Sequence, residues 1–262
     1  MSDAIIGMHE WFETPPGRYV LAWERAEFDV AVSDIFGYHA LQLGLPELDA
    51  LAANRMPHRW LGLRSLRPLD DGTRQPALLT DYAALPFEAN SLDLVVLPHS
   101  LELNLDPHAT LREVERVLVP EGKVVISCLN PASLWGLRQR RAHLYRRLGF
   151  GQLYLPDGGE FIGYRRLRDW LRLLNFEVET GSFGCYRPAL TTDRWLERFD
   201  WIDPVGERWW PIFGAVYFVV ATKRVRGMKL VGRLWKPAKS MATAPVPLAN
   251  RRPQPEMQQE IA

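Results

Sequence analysis

The stretch SLDLVVLPHSLELNLDPHATLREVERVLVPEGKVVISC, residues 91–128, decides the fold predicted for this 262-residue chain. Its two apolar runs, 92–97 and 123–128, are rich in Leu, Val and Ile and are typical of strands buried on both faces. Between them, Asp106 and Pro107 mark the start of a helix whose apolar stripe is formed by Leu111, Val114, Val117 and Leu118. A strand, a helix and a second strand in this order predict a parallel βαβ unit.

The alternation of strands and helices continues on both sides of this stretch. Helical spacing predicts helices at residues 22–36 and at about 46–53. Short apolar runs predict further strands at 40–43, 60–63, 77–79, 176–180 and 216–223. The predicted fold class is therefore α/β, a Rossmann-like and mostly parallel sheet with helices on both faces.

Composition indicates an ordinary globular protein. Hydrophobic residues make up 47% of the chain and charged residues 24%, and Cys128 and Cys185 are the two cysteines. Two cysteines cannot build a disulfide framework, and the sequence has no four-ligand Cys/His cluster for structural zinc, so no metal is expected. The N-terminus lacks a signal-peptide pattern, and no run of about 18 apolar residues occurs. We therefore predict a cytoplasmic protein with no membrane span.

The second half of the chain is basic. Residues 133–150 and 164–175 predict two Arg-rich amphipathic helices, which we interpret as a helical cap insertion spanning about 133–175. The tail, 225–262, is basic and then rich in Pro, Ala and Gln, so we expect disorder there and place the folded domain at 1–224. The arginines are typical of a solvated helix face, of an anionic ligand site or of a nucleic-acid contact.

Five segments in and around the deciding stretch resemble a known family. These are Asp81, then Leu85-Pro86-Phe87, then Ser91 to Val95, then His99, and then LREVERVLVPEGK at 111–123. They resemble the core of the class I S-adenosylmethionine-dependent methyltransferases of the type 11 group, over roughly residues 20–223. The resemblance implies a seven-stranded sheet that ends in an antiparallel C-terminal hairpin. It also implies S-adenosylmethionine as the cofactor and methyl transfer to an O, N or C nucleophile, which we expect on a small-molecule acceptor.

The same resemblance suggests the site residues. Asp81 matches the acidic residue that meets the adenine amino group, and Gly44 matches the first glycine of the motif after the first strand. Because ligands bind at the carboxyl ends of parallel strands, neighbouring residues join the site. The residues predicted to bind the cofactor are Gln42, Gly44, Asp81, Tyr82, Leu97, Pro98 and His99. His99 is also the candidate catalytic base, since its pKa lies near neutrality.

The chain departs from the family pattern at two places. The first motif reads Gln42, Gly44, Pro46 and Leu48, with one of three glycines and no acid, and no acid follows the second strand in LGLRSLRP, 61–68. These departures keep a second hypothesis open beside the enzyme. In that hypothesis the chain is a catalytically weak methyltransferase-fold protein that binds a partner or nucleic acid through its Arg-rich face.

Overall fold

A seven-stranded sheet organises the structure, a computed structural model that describes residues 8, 10–65, 75–147, 154–156 and 161–224. The strands are β1 (His39–Leu43), β2 (His58–Leu63), β3 (Leu78–Leu79), β4 (Leu92–Pro98), β5 (Leu118–Leu129), β6 (Phe176–Gly184) and β7 (Val216–Lys223). They lie in the order β3-β2-β1-β4-β5-β7-β6. Only β7 among these runs antiparallel to its neighbours, so the predicted fold class and its C-terminal hairpin are confirmed.

Helices cover both faces of the sheet. They are α1 (Pro15–Ser33), α2 (Pro107–Val117), α3 (Leu134–Arg147), α4 (Tyr164–Leu173), α5 (Asp193–Arg198) and α6 (Ile202–Trp209). One core lies under α1 and α3, and a second core lies under α2 and α4. Both cores form because the central strands are apolar on both faces. Among the described helices, none combines the length and apolar character that spanning a bilayer requires.

The first helix starts seven residues before the predicted position. Thr14 is its N-cap, and the Oγ1 of Thr14 accepts a hydrogen bond from the backbone N–H of Gly17 at 3.3 Å. Pro15 and Pro16 occupy the first turn, where a missing N–H costs nothing. Thr-Pro-Pro is a start signal that the apolar spacing of 22–36 alone does not reveal.

The helix predicted at 46–53 is wrong, because this segment consists of turns. The amide of Gln42, buried at the end of β1, binds the backbone of the segment at several points. These hydrogen bonds offer the backbone an alternative to helical pairing.

The second Arg-rich helix, predicted as part of a cap, is α4. α4 packs against β6 and buries Leu167 and Leu171 in the core of the sheet. α4 is therefore one of the helices that cover the sheet. The predicted cap segment between α3 and α4 and the predicted tail at 225–262 fall largely or wholly outside the described residues.

Lys223, at the end of β7, joins the sheet to α2. Its side chain is buried, and Nζ donates to the carbonyl oxygens of Glu115 at 2.6 Å and Leu118 at 2.9 Å. Nζ also donates to Asn90 Oδ1 at 3.1 Å and lies 3.3 Å from Glu115 Oε1. One ammonium group thus satisfies acceptors at the end of α2 that burial removes from water.

Replacing Lys223 tests this connection. We expect Lys223→Met to lower the free energy of unfolding by about 3 kcal/mol, because buried acceptors lose a charged donor. The matched control is Lys123→Met, which breaks a partly exposed pair with Glu179 at 2.7 Å and is expected to cost about 0–1 kcal/mol. Urea denaturation of both variants measures the difference. Equal decreases in the free energy of unfolding would show that the buried contacts of Lys223 stabilise the fold no more than the exposed ion pair of Lys123 does.

Candidate functional site

A small cavity lies at the carboxyl edge of the sheet, where β1, β2 and β4 end. Its volume is about 40 Å³. The lining residues are Gly44, Leu45, Pro46, Leu63, Arg64, Ser65, Tyr82, Pro98, Ser100 and Leu103. They come from the segments that follow four different parallel strands, which is where ligands bind in open α/β sheets. Three residues of the predicted site, Gly44, Tyr82 and Pro98, are among them.

Gly44 adopts a backbone conformation that brings the chain close to the cavity. Its φ is +77°, in the left-handed region that favours glycine. A Cβ at this position would lie 2.8 Å from Ser100 Oγ and 3.3 Å from the hydroxyl oxygen of Tyr82. Glycine is therefore required here by backbone geometry and by space. The hydroxyl groups of Ser100 and Tyr82 therefore lie directly beside the backbone of Gly44.

Gln42 does not line the cavity. It is buried, and its Nε2 donates to the carbonyl oxygens of Leu45 at 3.0 Å and Leu48 at 2.6 Å. Its Oε1 accepts from the backbone N–H of Ala50 at 3.0 Å. The side chain thus shapes the segment after β1 from within, and its predicted direct contact with a ligand does not match this geometry.

Asp81 does not line the cavity and lies in a surface groove beside it. Its carboxylate is largely exposed, and Oδ1 lies 3.2 Å from Arg64 Nη2. Arg64 Nη2 also donates to Asn104 Oδ1 at 2.6 Å, and the guanidinium lies 4.9 Å from the ring centroid of Tyr82. Arg64 therefore stands between the carboxylate of Asp81 and the cavity.

The groove beside Asp81 has a volume of about 390 Å³. Thr80, Asp81, Ala83, Asn104, Leu105 and Asp106 line it together with Arg64. Arg64 borders both this groove and the small cavity. The side chain of Arg64 therefore lies between the two spaces.

Arg64 and Ser100 were not among the residues predicted for the site. Arg64 follows β2 directly, and a residue at the end of a parallel strand faces the same edge as its neighbours. The family pattern has an acid at this position, which gives no signal for an arginine. Ser100 lies in the turn after β4 and donates from Oγ to the carbonyl oxygen of Leu43.

His99 lies behind the cavity and not on it. Its ring is fully buried, with Nε2 2.8 Å from Glu24 Oε1 and Nδ1 against Glu102 Oε1. Glu24 belongs to α1, whereas Glu102 lies in the same turn after β4 as His99, so α1 and this turn meet at the imidazole. The prediction of His99 as cofactor contact and catalytic base does not fit this position, and Leu97 likewise lies in the core.

Three titratable groups share this buried cluster. Burial alone would lower the pKa of His99, but the carboxyl groups of Glu24 and Glu102 outweigh burial and raise it to about 10. Burial, partly opposed by His99, raises the pKa of Glu102. The ring is therefore a cation held between two carboxyl groups at neutral pH.

The cluster positions the segment that lines the cavity. His99 has a φ of +52°, an unfavourable conformation for a residue with a side chain, and Pro98 and Ser100 on either side line the cavity. Glu102 Oε2 accepts from the backbone N–H of Leu129 at 3.0 Å, at the end of β5. The ion pairs therefore fix the turn after β4 against both α1 and β5.

We expect His99→Gln to lower the free energy of unfolding by about 3–5 kcal/mol, because two buried carboxyl groups lose their cation. The control is a triple variant, which combines the substitutions Glu24→Gln, His99→Gln and Glu102→Gln. It removes the buried charge and should recover part of the loss. A triple variant that is less stable than His99→Gln would contradict this account.

The pH dependence follows from the direction of the pKa shift. Because the folded pKa of His99 is raised from 6.5 to about 10, its contribution is full below about pH 6.5. That contribution declines as pH rises and is gone above about pH 10. Urea midpoints of the wild type should fall over this range more steeply than those of the triple variant. Parallel profiles would exclude His99 as the titrating group.

A second groove lies at the same edge of the sheet, beyond β5 and β6. Its volume is about 530 Å³. The residues that line it are Asn130, Ala132, Gly163, Tyr164, Arg165, Arg168, Phe183 and Ile212. Asn130 Nδ2 donates to the carbonyl oxygens of Ile212 and Gly214, both at 2.8 Å, so its amide holds the turn after β5.

Parts of the chain are similar to known proteins. The family model for a methyltransferase domain, type 11, matches residues 66–126. The Escherichia coli (strain K12) protein YafS is 32% identical over 171 residues, which cover 64% of this chain and 65% of YafS. The malonyl-[acyl-carrier protein] O-methyltransferase of Gallionella capsiferriformans is 41% identical over 81 residues, which cover 29% of this chain and 28% of that protein. The chain thus spans less than two thirds of the length of these relatives.

A solved structure shows the same fold. The YcgJ protein of Bacillus subtilis superposes with a TM-score of 0.53 at 13% identity, covering 78% of this chain and 99% of that chain. Strand order, the segments around the cavity and the matched family model agree. The chain therefore matches a methyltransferase domain family over residues 66–126 and shares its fold with YcgJ.

Proposed function

We propose that the protein transfers a methyl group from S-adenosylmethionine to an O, N or C nucleophile of a small-molecule acceptor. The observation that carries this proposal is the cavity at the carboxyl edge of the sheet. Its lining combines Gly44 after β1, Arg64 after β2, Tyr82 after β3 and Pro98 at the end of β4. This arrangement suits a nucleoside that crosses the ends of several parallel strands.

The residues at the cavity fit the nucleoside part of the cofactor. Asp81 supplies an exposed carboxylate, which is a strong acceptor for an adenine amino group. Leu63, Tyr82 and Pro98 supply largely apolar walls for the ring, and the glycine backbone at 44 allows close approach. When bound, S-adenosylmethionine supplies an electrophilic methyl group on a sulfonium.

Arg64 has to leave its position for the nucleoside to enter. In the present arrangement it holds Asp81 Oδ1 and narrows the cavity to about 40 Å³, far below the several hundred Å³ of a cofactor site. Its side chain is partly exposed, so its ion pair with Asp81 is a weak restraint. We propose that binding exchanges this ion pair for a contact between Asp81 and the ligand.

Catalysis would rest on positioning more than on a base. Methyl transfer is an in-line displacement, and holding two reactants in near-attack geometry supplies much of the acceleration. His99 is enclosed by Glu24 and Glu102, so we do not assign it a proton-transfer role in the reaction. We propose instead that it acts as a positioning residue for Pro98 and Ser100.

The role of Asp81 is tested with S-adenosylhomocysteine and isothermal titration calorimetry. We expect Asp81→Ala to weaken binding by about 1–3 kcal/mol, because the adenine amino group loses its acceptor. Glu88→Ala removes another exposed carboxylate nearby and should leave the affinity unchanged. Absence of any binding by the wild type at millimolar ligand would contradict the proposed function. An equal affinity of Asp81→Ala and wild type would contradict only the role of Asp81.

Replacing Arg64 is expected to strengthen ligand binding, in contrast to replacing Asp81. We expect Arg64→Ala to bind S-adenosylhomocysteine about two- to fivefold more tightly, since breaking a partly exposed ion pair costs the wild type up to about 1 kcal/mol. The same titration measures the change. Weaker binding by Arg64→Ala would show that Arg64 contacts the ligand and does not obstruct it.

A further inference from the structure

Arg168, on α4, lines the second groove, and the described residues offer its Nε no acceptor. Its Nε is buried and makes no hydrogen bond within the structure as described. Arg165, one turn before it, lines the same groove and is exposed. A partly buried guanidinium without an acceptor is costly, because it loses water and gains nothing in exchange.

Carboxylates nearby do not neutralise Arg168. On its other side, Arg168 borders a polar groove that also contains Glu177 and Glu179. Glu177 Oε2 accepts from Arg224 Nε at 2.8 Å, and Glu179 binds Lys123 Nζ at 2.7 Å. Both carboxylates are therefore engaged by other cations.

The walls of the second groove are apolar opposite this charge. Tyr164 and Phe183 pack edge to face with ring centroids 5.2 Å apart, and Ile212 leaves about half of its surface exposed. The volume of about 530 Å³ lies in the range of small-molecule sites. Apolar walls with one or two convergent polar groups are typical of a site that orients an amphipathic ligand.

We propose that this groove binds the methyl acceptor, and that the acceptor is an anionic amphipathic molecule. Its carboxylate or phosphate group pairs with Arg168, for which a guanidinium is well suited geometrically. Its apolar part lies against Tyr164, Phe183 and Ile212. The assignment of this ligand as acceptor rests on the proposed function, whereas the site itself rests on the groove and its unpaired cation.

Calorimetric titration of the full chain with three ten-carbon probes tests the site. Decanoate carries a carboxylate, decyl phosphate carries a phosphate, and decanol carries no charge. We expect one or both anions to bind, and decanol to bind at least tenfold more weakly. The stronger of the two anions identifies the acidic group that the groove prefers.

Variants connect the binding to Arg168. We expect Arg168→Gln to weaken anion binding at least tenfold, and Arg168→Lys to retain part of the affinity because it keeps the charge and loses the planar fork. Arg112→Gln, on the exposed face of α2, is the matched control and should bind like the wild type. Thermal melting of each variant verifies that it is folded.

The outcomes separate this inference from the proposed function. If neither anion binds to the wild type, or if folded Arg168→Gln binds the anions as the wild type does, the inference is wrong even when S-adenosylhomocysteine binds. If decanol binds as tightly as the anions, the groove recognises apolar chains and the assigned role of Arg168 is wrong. Anion binding without S-adenosylhomocysteine binding would support the site and overturn the methyltransferase activity.

Discussion

The buried ion cluster of Glu24, His99 and Glu102 is the constraint on which the edge of the sheet depends. Glu24 comes from α1, and Glu102 holds the backbone N–H of Leu129 at the end of β5. A cation between two carboxyl groups is tolerated in a core only when its partners remain in place. These contacts therefore hold the turn after β4 in place, and with it Pro98 and Ser100, which line the cavity. Stability and site geometry are consequently linked through a residue that does not touch the cavity.

The segment after β1 shows how the chain forms a ligand-facing loop with a single glycine of the motif. Gln42 satisfies carbonyl and N–H groups of the loop from inside, so the loop holds its shape without the tight turns that further glycines allow. Gly44 remains where backbone approach and positive φ require it. The loop after β1 is thus supported by the side chain of Gln42 where other family members have further glycines. The backbone of Gly44 still lines the cavity.

The sequence predicts the fold well because burial on both faces leaves strong signals in β4, β5 and β7. It predicts single site residues less well, because side-chain partners decide their roles. Gly44, Tyr82 and Pro98 reach the cavity since backbone position alone places them there. Gln42 and His99 do not, because long-range partners draw both side chains inward. Gln42 is held by the loop after β1, and His99 is held by Glu24. Local sequence patterns do not reveal such contacts.

Two of the described arginines of α3 and α4 contact aromatic rings. Arg138 lies 4.4 Å from the ring centroid of Tyr154, and Arg166 lies 4.8 Å from that of Trp170, so both charges make cation–π contacts within the chain. Arg168 has no such contact and borders a groove at the sheet edge. A nucleic-acid surface needs many cations available to phosphates at once. A site for a small anion needs one or two that are placed and partly desolvated, and Arg168 meets this requirement.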